Sequence, residues 1–252
     1  SLNRYARENN CKVMVFNSFV DFYKNDANDK GAQSIYDLIQ YNLVDALIIF
    51  TVSFNNKELV QQLAQTARAH GVPVALLDGE SEGCCTIESD YDEAFSGMMA
   101  HVIRDHRARD TFFMAGRRES DLASDRRIQC YRRALESCGL PFDESKVGYG
   151  EFWSDPAKRI VQEMIDSGNK LPDAIFCAND YMAIAVCEKL REHGLRVPED
   201  VIVTGFDGTD AARYAVPQIT TCVEDQDQLA RISLQTLLKA LDGDECRVVQ
   251  NP

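Results

Sequence analysis

The segment 172-PDAIFCANDYMAIAVCEKL-190 determines the fold that we expect for this chain. Residues Ala174 to Ala178 are small or apolar and typical of a strand buried on both faces, and an apolar pattern of helical period begins soon after them. Two polar residues, Asn179 and Asp180, stand between the strand and the helix. They either cap the helix or contact a ligand at the end of the strand.

Apolar runs alternate with helix-length amphipathic segments along almost the whole chain. The predicted strands are Lys12–Phe16, Ala46–Phe50, Pro73–Leu77, Thr111–Ala115, Lys146–Gly150, Ala174–Ala178 and Val201–Phe206. Several helical segments end at a glycine, as in "NKELVQQLAQTARAHG", which ends at Gly71. Continuous apolar strands separated by helices indicate parallel sheets covered on both faces, and therefore an α/β fold.

The number of these units and the length of 252 residues favour two lobes over one. Roughly three strand–helix pairs precede Gly116 and three or four follow it, more than one open sheet usually holds. Two polar loops, 116-GRRESDLAS-124 and 221-TCVED-225, are where we expect the chain to cross between lobes. We therefore predict two Rossmann-like lobes with parallel sheets.

Composition and charge exclude several classes of function. The net charge of −13 comes from 40 acidic and 27 basic residues, so DNA would be contacted only by a module outside this chain. The longest apolar runs are too short to cross a bilayer, and we expect no membrane partner. The chain shows no secretory signal, and its nine cysteines are expected to be free thiols of a reducing compartment. These features predict a cytoplasmic protein.

Aromatic and acidic residues follow two more of the predicted strands. In open parallel sheets, ligands bind beyond the carboxyl ends of the strands. Phe152 and Trp153 follow the strand at 146–150, where they either join the core or offer flat faces for stacking. Asp207 follows the strand at 201–206, where it either forms a turn with its own backbone or contacts a ligand.

Arg127 is a candidate ligand-binding residue that lies in a predicted helix rather than at the end of a strand. Ile128, Tyr131 and Leu135 share one face of that helix and predict its buried side, which places Arg127 in the first turn, near the carboxyl edge of the sheet. It is either a solvated arginine or a forked donor for ligand hydroxyls or a carboxylate.

No motif for catalysis is visible. Cys84, Cys85 and the four histidines lack the spacing of a zinc site, and the glycine motifs of nucleotide-binding loops and hydrolase nucleophiles do not occur. We predict no metal, no cofactor and no catalytic residue. An α/β enzyme would need a nucleophile with its base, and no such pair is visible, so the chain is not expected to be an enzyme.

The segment 172–222 resembles the effector-binding region of LacI/GalR transcription regulators. The resemblance is carried by "CAND" after an apolar strand, "GLRVPEDV", "GFD" and "PQITT". It implies a fold like that of type I periplasmic binding proteins, with two Rossmann-like lobes joined by three crossovers. It also implies that a small polar effector, such as a sugar or nucleoside, binds between the lobes.

The same resemblance implies roles for individual residues. The matching positions are Arg127 for the family's arginine, Phe152 for its stacking aromatic with Trp153 nearby, Asn179 for its amide, Asp180 for the second residue of its Asn-Asp pair, Asp207 for its carboxylate, and Asp90 for the aspartate that opens the last helix of the first lobe. We expect Asn179 to face the ligand and Asp180 to cap or support it.

The resemblance also implies a division of the chain. The expected lobes are 1–116 with 224–243, lacking the first strand, and 117–223 with 244–252. Cys130 stands where the family has a glycine, and the DNA-binding headpiece is not expected in this chain. The implied protein is a homodimeric ligand sensor attached to an output module. Two alternatives are a sensor for a diguanylate-cyclase-type output and an extracytoplasmic solute-binding protein for sugar uptake.

Overall fold

The computed structural model describes residues 1–18, 31–51, 54, 56–118, 122–244 and 248–251. The chain divides into two compact units, Ser1–Asp90 with Asp225–Pro252, and Tyr91–Glu224. Each unit contains one parallel sheet, which confirms the predicted α/β fold with two lobes.

Strands and helices alternate along most of the chain, although β3 follows β2 directly. The strands are β1 (Leu47–Phe50), β2 (Val74–Leu77), β3 (Cys85–Ser89), β4 (Thr111–Ala115), β5 (Val147–Tyr149), β6 (Ala174–Cys177), β7 (Ile202–Asp207), β8 (Thr220–Val223) and β9 (Val248–Asn251). The α-helices are α1 (Leu2–Glu8), α2 (Lys57–Ala69), α3 (Asp92–Asp105), α4 (Leu122–Ser137), α5 (Ser154–Asp166), α6 (Asp180–Glu192), α7 (Asp210–Tyr214) and α8 (Gln226–Leu241). Short 3-10 helices lie at Ser34–Leu38 and Glu144–Lys146.

The sheet of the first unit has the order β1-β2-β3-β9. Successive residues of β2 alternate between its two faces, as the period of a strand requires. Val74 and Leu76 pack in one apolar cluster with residues of α2, and Ala75 and Leu77 pack in another with residues of α8. The sheet is therefore buried on both faces, which explains why β2 is apolar throughout.

The sheet of the second unit has the order β5-β4-β6-β7-β8. Its centre is fully buried: Phe113 of β4 lies opposite Phe176 of β6, and Phe176 lies opposite Thr204 of β7. Because all five strands are parallel, their carboxyl ends meet at one edge. This edge carries the candidate site.

The helix ends agree with the predicted glycine stops. The residues after α2, α4, α5 and α6 include a glycine with φ of 67° to 75°, a left-handed conformation that favours glycine over other residues. These glycines are Gly71, Gly139, Gly168 and Gly194.

Some strand predictions are wrong. Lys12–Phe16 forms no strand; Met14 and Val15 are exposed, so this apolar run is not part of a covered sheet. Three observed strands were not predicted: β3, β8 and β9. β3 contains polar residues that are nevertheless buried, Thr86 and Ser89, and therefore lacks the continuous apolar pattern.

The predicted lobe boundaries are corrected by the strand pairing. Residues 91–116 belong to the second unit, because β4 lies between β5 and β6 in its sheet. The C-terminal residues from 244 belong to the first unit, because β9 pairs with β3. The loop 221–225 contains one crossing, as predicted, whereas 116–124 lies within the second unit; residues 119–121 of that loop are outside the described part of the chain.

The cysteines are mostly buried thiols. Cys11, Cys84, Cys130, Cys138, Cys177, Cys187 and Cys222 are free, but Cys85 is disulfide-bonded, so the prediction of nine free thiols is wrong. Burial raises the pKa of Cys130 to about 11 and that of Cys187 to about 12, which keeps both unreactive. Within the described ranges, every helix is too short or too polar to span a bilayer.

Candidate functional site

The candidate site lies at the carboxyl edge of the second sheet. Phe152 and Trp153 come after β5, Asn179 comes after β6, and Asp207 ends β7. Arg127, in α4, reaches the same edge, since its guanidinium donates a hydrogen bond to the backbone carbonyl of Ala178, the residue directly after β6. The structure thus brings together residues that are up to 80 positions apart in the sequence, as the strand-end rule predicts.

Arg127 is held by aromatic and polar contacts at once. Its Nη1 donates to the Ala178 carbonyl at 2.6 Å, and its Cζ lies 4.1 Å from the ring centroid of Phe206. The Nε atom is buried without a hydrogen-bond partner among the described residues, and the side chain is only 12% exposed. A buried guanidinium with an unused donor is prepared to bind a polar group.

Asp207 faces this guanidinium. Its Oδ1 lies 3.8 Å from Nη2 of Arg127, which is longer than a hydrogen bond, and 37% of its side chain is exposed. Burial raises the pKa of the Asp207 carboxyl to about 7; the Arg127 charge acts to lower it, and the charges of Asp180 and Glu224 act to raise it. At neutral pH this carboxyl is therefore able both to donate and to accept a hydrogen bond.

The backbone around the site adopts unusual conformations. Glu151 and Phe152 have φ of 56° and 58°, and Asp207 has φ of 109°. Residues other than glycine seldom adopt positive φ, and such conformations cluster at functional sites. Here they turn the chain sharply at the ends of β5 and β7.

Phe152 packs inside the edge rather than projecting from it. A Cβ atom on Gly116 would overlap Cε2 and Cζ of the Phe152 ring, so the ring lies directly on that glycine. The guanidinium carbons of Arg117 and Arg127 are 6.0 Å and 5.4 Å from its centroid. Trp153 is different: 43% of it is exposed, and its ring contacts Tyr181.

Asn179 is the N-cap of α6, one of the two roles that its position in the sequence allowed. Its Oδ1 accepts a hydrogen bond from the backbone N–H of Met182 at 2.9 Å, and its Nδ2 donates to the Phe152 carbonyl at 3.0 Å. Both ends of the amide are satisfied within the protein, and the residue is 7% exposed. Asn179 therefore orders the site, with each end of its amide engaged in one hydrogen bond within the protein.

Asp180 supports a neighbouring turn, as one of its predicted roles allows. The side chain is fully buried, and its Oδ2 accepts hydrogen bonds from N–H and Oγ1 of Thr209 at 2.7 Å and 2.9 Å. Thr209 in turn caps α7 through a bond to the N–H of Ala212. This carboxylate fixes the turn that follows Asp207.

Two aromatic residues at the site were not predicted. Phe206 lies under Arg127, and the Tyr91 ring meets Phe206 edge-on, with centroids 4.7 Å apart. Phe206 stands in the "GFD" motif, so its position was visible in the sequence. Asp90, predicted to open the last helix of the first lobe, is exposed; α3 begins at Asp92 and belongs to the second unit.

Asp92 anchors the helix that carries Arg127. Its two carboxylate oxygens accept hydrogen bonds from Arg126 and Arg133, each at 2.7 Å. Burial acts to raise the pKa of Asp92, but the bonds and charges of Arg133 and Arg126 outweigh it and lower the pKa. These hydrogen bonds join α3 to α4 and so fix the position of α4, the helix that carries Arg127.

One cavity of the first unit has polar walls that are already hydrogen-bonded. A cavity of about 550 Å³ in the first unit is lined by Gln61, Glu80, Ser81, Glu82 and Thr86. Gln61 donates to the carbonyl of Glu80 and accepts from Ser81, so these polar groups are satisfied by one another. No cluster of three His, Cys, Asp or Glu side chains that could hold a metal occurs within the described ranges.

Comparison with known proteins identifies the family. Residues 101–250 match the model of the periplasmic binding protein-like domain. The transcriptional regulator CelR of Thermobifida fusca is 34% identical over 129 residues, 51% of this chain and 38% of CelR. The repressor PurR of Vibrio parahaemolyticus is 28% identical over 75% of this chain and 56% of its own length. The chain thus spans about half the length of these relatives.

A solved structure agrees with the sequence matches. The complex of CelR with cellobiose superposes with a TM-score of 0.74 and 26% identity, covering 90% of this chain and 68% of the other. CelR and PurR are both named as transcriptional regulators, not as enzymes. The chain belongs to the periplasmic binding protein-like domain family, as an effector-binding domain of the LacI/GalR type.

Proposed function

We propose that this chain is the ligand-sensing domain of a bacterial transcriptional regulator and binds a small polar effector, a sugar or a nucleoside, without chemical conversion. The observation that carries the proposal is the pair Arg127 and Asp207 at the carboxyl edge of the second sheet. A buried guanidinium with an unused donor lies 3.8 Å from a partly exposed carboxyl group. The family membership supports the same function.

The chemistry of this pair favours a ligand with hydroxyl groups. A hydroxyl accepts a hydrogen bond from the guanidinium and exchanges one with the carboxyl, in either protonation state of Asp207. An apolar ligand would cover these polar groups and leave them unpaired, which costs about 1–3 kcal/mol for each group. The CelR–cellobiose complex supports a sugar in preference to a nucleoside.

The sensing mechanism follows from differential binding. A ligand shifts the population of conformations only to the extent that it binds one of them more tightly. The turn at Asp207 is well placed to respond, because it is connected through Thr209 to α7 and through Asp180 to α6. We propose that occupancy changes the conformation of this edge and that the change reaches an attached output module.

The further assignments rest on the relatives. We propose that the domain acts as a homodimer in the cytoplasm and that it contacts DNA only through a separate module. The resemblance to LacI/GalR regulators supports the homodimer, and the relatives' names as transcriptional regulators support the cytoplasm and contact with DNA. The net charge of −13 favours a separate module for DNA.

A thermal-shift screen tests the proposal. The panel contains monosaccharides, disaccharides including cellobiose, sugar acids and nucleosides. A ligand at about 100 times its Kd adds roughly 2.7 kcal/mol, which raises the Tm of a chain of this size by about 5 to 10 °C. We expect at least one sugar to do so. If no compound of the panel changes the Tm, the proposed function is wrong.

Matched variants locate the site. Arg127→Lys keeps the charge but loses the paired N–H donors of the guanidinium, and Asp207→Ala removes the carboxyl. Both substitutions should abolish most of the ligand-induced shift in Tm. Arg196→Ala is the control, because Arg196 forms an exposed ion pair with Asp200 at the opposite end of β7. An unchanged shift in the two site variants, or an equal loss in the control, would remove the assignment to this edge.

A further inference from the structure

Three aromatic rings surround the guanidinium of Arg127. Its Cζ atom lies 4.1 Å from the ring centroid of Phe206, 5.4 Å from that of Phe152 and 5.5 Å from that of Tyr91. All four residues belong to the second unit. The face of an aromatic ring attracts a cation. The rings therefore restrict a guanidinium whose Nε has no hydrogen-bond partner within the described ranges.

We propose that Tyr91 is a positioning residue of the effector site, whose ring holds the guanidinium of Arg127 in the orientation that binds the ligand. The inference rests on the proposed function, which assigns Arg127 to the ligand. It adds a residue that the sequence did not indicate and that acts through Arg127 and Phe206 without touching the ligand.

Tyr91 is itself held firmly, as a supporting residue must be. Its backbone carbonyl accepts a hydrogen bond from the N–H of Phe95 at 2.9 Å, at the start of α3. Its half-buried ring packs against the core of the second unit and meets the Phe206 ring edge-on, with centroids 4.7 Å apart. Phe206 is only 2% exposed and packs against Phe95 in turn, with centroids 4.9 Å apart. The core thus fixes the two rings.

Tyr91 also contacts the arginine directly before Arg127. Its ring centroid lies 4.4 Å from Cζ of Arg126. Successive residues of a helix do not share a face, so one ring that contacts both side chains fixes the two guanidinium groups relative to each other. The two arginines depend on the ring to different degrees. Nε of Arg126 donates to Oδ1 of Asp92 at 2.7 Å, whereas Nε of Arg127 is buried without such a bond.

An arginine that is already oriented binds a ligand more tightly. A long side chain loses conformational freedom when a ligand orders it, and this loss opposes binding. Rings that restrict the guanidinium beforehand reduce the loss. They also keep its paired N–H donors at the edge where Asp207 lies, 3.8 Å from Nη2. Removal of the Tyr91 ring should therefore weaken the ligand although the charge of Arg127 remains.

The order of the Arg127 side chain tests this inference without any ligand. Nitrogen-15 relaxation of the arginine Nε–H groups gives their order parameters, and Arg127→Lys identifies the Arg127 signal. Rigid groups have order parameters of about 0.85, and flexible ones fall below about 0.6. We expect Arg127 to be rigid in the wild type and in Tyr91→Phe, and flexible in Tyr91→Leu. Arg126 should stay rigid in all three, because Asp92 holds its Nε.

Binding gives the second measurement. The probe is cellobiose or, if cellobiose does not bind, the compound with the largest thermal shift in the panel. By calorimetry, Tyr91→Leu should raise Kd about tenfold, which corresponds to 1.4 kcal/mol, and Tyr91→Phe should stay within about twofold. Tyr214→Leu is the matched control. It removes an exposed tyrosine of α7 whose ring lies 6.0 Å from Cζ of Arg213, and it should leave Kd and the order of Arg127 unchanged.

A double-mutant cycle separates positioning from direct contact with the ligand. If Tyr91 acts through the guanidinium, Tyr91→Leu should change Kd by less than about twofold when Arg127 is already replaced by lysine, because residues in contact have coupled effects. If the tenfold loss persists in the Arg127→Lys background, the ring touches the ligand or acts through the fold, and the positioning role is wrong.

The order parameters give the remaining outcomes. Unchanged order of Arg127 in Tyr91→Leu overturns the inference and leaves the proposed function intact. A joint loss of order in Arg126 and Arg127 would mean that Tyr91 stabilises α4 as a whole, which also contradicts a positioning role. If no compound of the panel binds to any variant, the proposed function fails. A selective loss of Arg127 order in Tyr91→Leu would then still show that the ring holds this guanidinium.

Discussion

Asn179 joins two strand ends of the second sheet through one hydrogen bond, from its Nδ2 to the backbone carbonyl of Phe152 at 3.0 Å. Its Oδ1 caps α6 at the same time. The segment after β5 has left-handed backbone at Glu151 and Phe152, so this bond stabilises a conformation that the chain would otherwise avoid.

Substitution of Asn179 should therefore affect folding before it affects binding. Asn179→Ala removes the cap and the bond to Phe152, and we expect the free energy of unfolding to fall by about 1–3 kcal/mol. Asn179→Ser retains a capping oxygen and should lose less. Urea denaturation measures both. A variant Asn179→Ala with the stability of the wild type and a weakened ligand would instead mean that the amide faces the ligand.

The pKa of Asp207 predicts how stability changes with pH. Its value in the folded protein is raised from the ordinary 3.8 to about 7, so ionisation is disfavoured by folding. The contribution of this carboxyl group to the free energy of unfolding is therefore fully present below pH 4 and is lost as the pH rises through about 7. Asp207→Asn cannot ionise, so its Tm relative to the wild type should increase from pH 5 to about pH 7 and then level off.

Asp200 provides the control for this pH profile. Hydrogen bonds from Arg196 lower the pKa of Asp200 to about 2. The contribution of Asp200 to the free energy of unfolding is therefore complete above the ordinary pKa of an aspartate and falls only in acid. The Tm difference between Asp200→Asn and the wild type should be constant from pH 5 to pH 8. A flat profile for Asp207→Asn as well would contradict the raised pKa of Asp207.

The sequence predicts the positions of the site residues better than their roles. Strand ends are marked by apolar runs and by glycines that end helices, so Phe152, Asn179 and Asp207 could be placed at one edge. Their roles depend on contacts between distant segments. The carbonyl that binds Asn179 belongs to a residue 27 positions away, and its direction is set by left-handed backbone that no local pattern indicates.

The division of the chain was harder to predict for a related reason. Polar strands such as β3 and β8 lack the continuous apolar pattern of β6, although both pair in parallel sheets. Without them, the number of strands in each lobe is wrong, and β4 is counted in the first lobe. Sheet order is a long-range property, and β9 returns to the first sheet after the whole second unit.

Gly116 should be intolerant of a side chain. A Cβ there overlaps the Phe152 ring, so Gly116→Ala must displace that ring or the backbone, at a cost of about 1–3 kcal/mol. Gly97→Ala is the matched control: it lies within α3 with no heavy atom near its Cβ position, and alanine favours the helix by about 1 kcal/mol. Thermal denaturation of both variants should give Tm changes of opposite sign, and an unchanged or raised Tm for Gly116→Ala would show that Phe152 adjusts without cost.

The bond between Asp180 and Thr209 predicts a coupled effect on stability and binding. Thr209→Val keeps the shape of the side chain but removes the hydroxyl that caps α7 and donates to Asp180, so the free energy of unfolding should fall by about 1–3 kcal/mol. Thr209→Ser retains the hydroxyl and should lose less.

Because Thr209 ends the turn that begins at Asp207, Thr209→Val should also weaken the ligand, and Thr209→Ser should not. A double-mutant cycle with Asp180→Asn tests whether the two side chains act together: residues in direct contact show coupling of about 0.5–3 kcal/mol. Additive effects would mean that Asp180 stabilises α6 independently of the turn. Coupled effects on stability and on Kd would mean that the buried carboxylate of Asp180 positions Asp207 through Thr209.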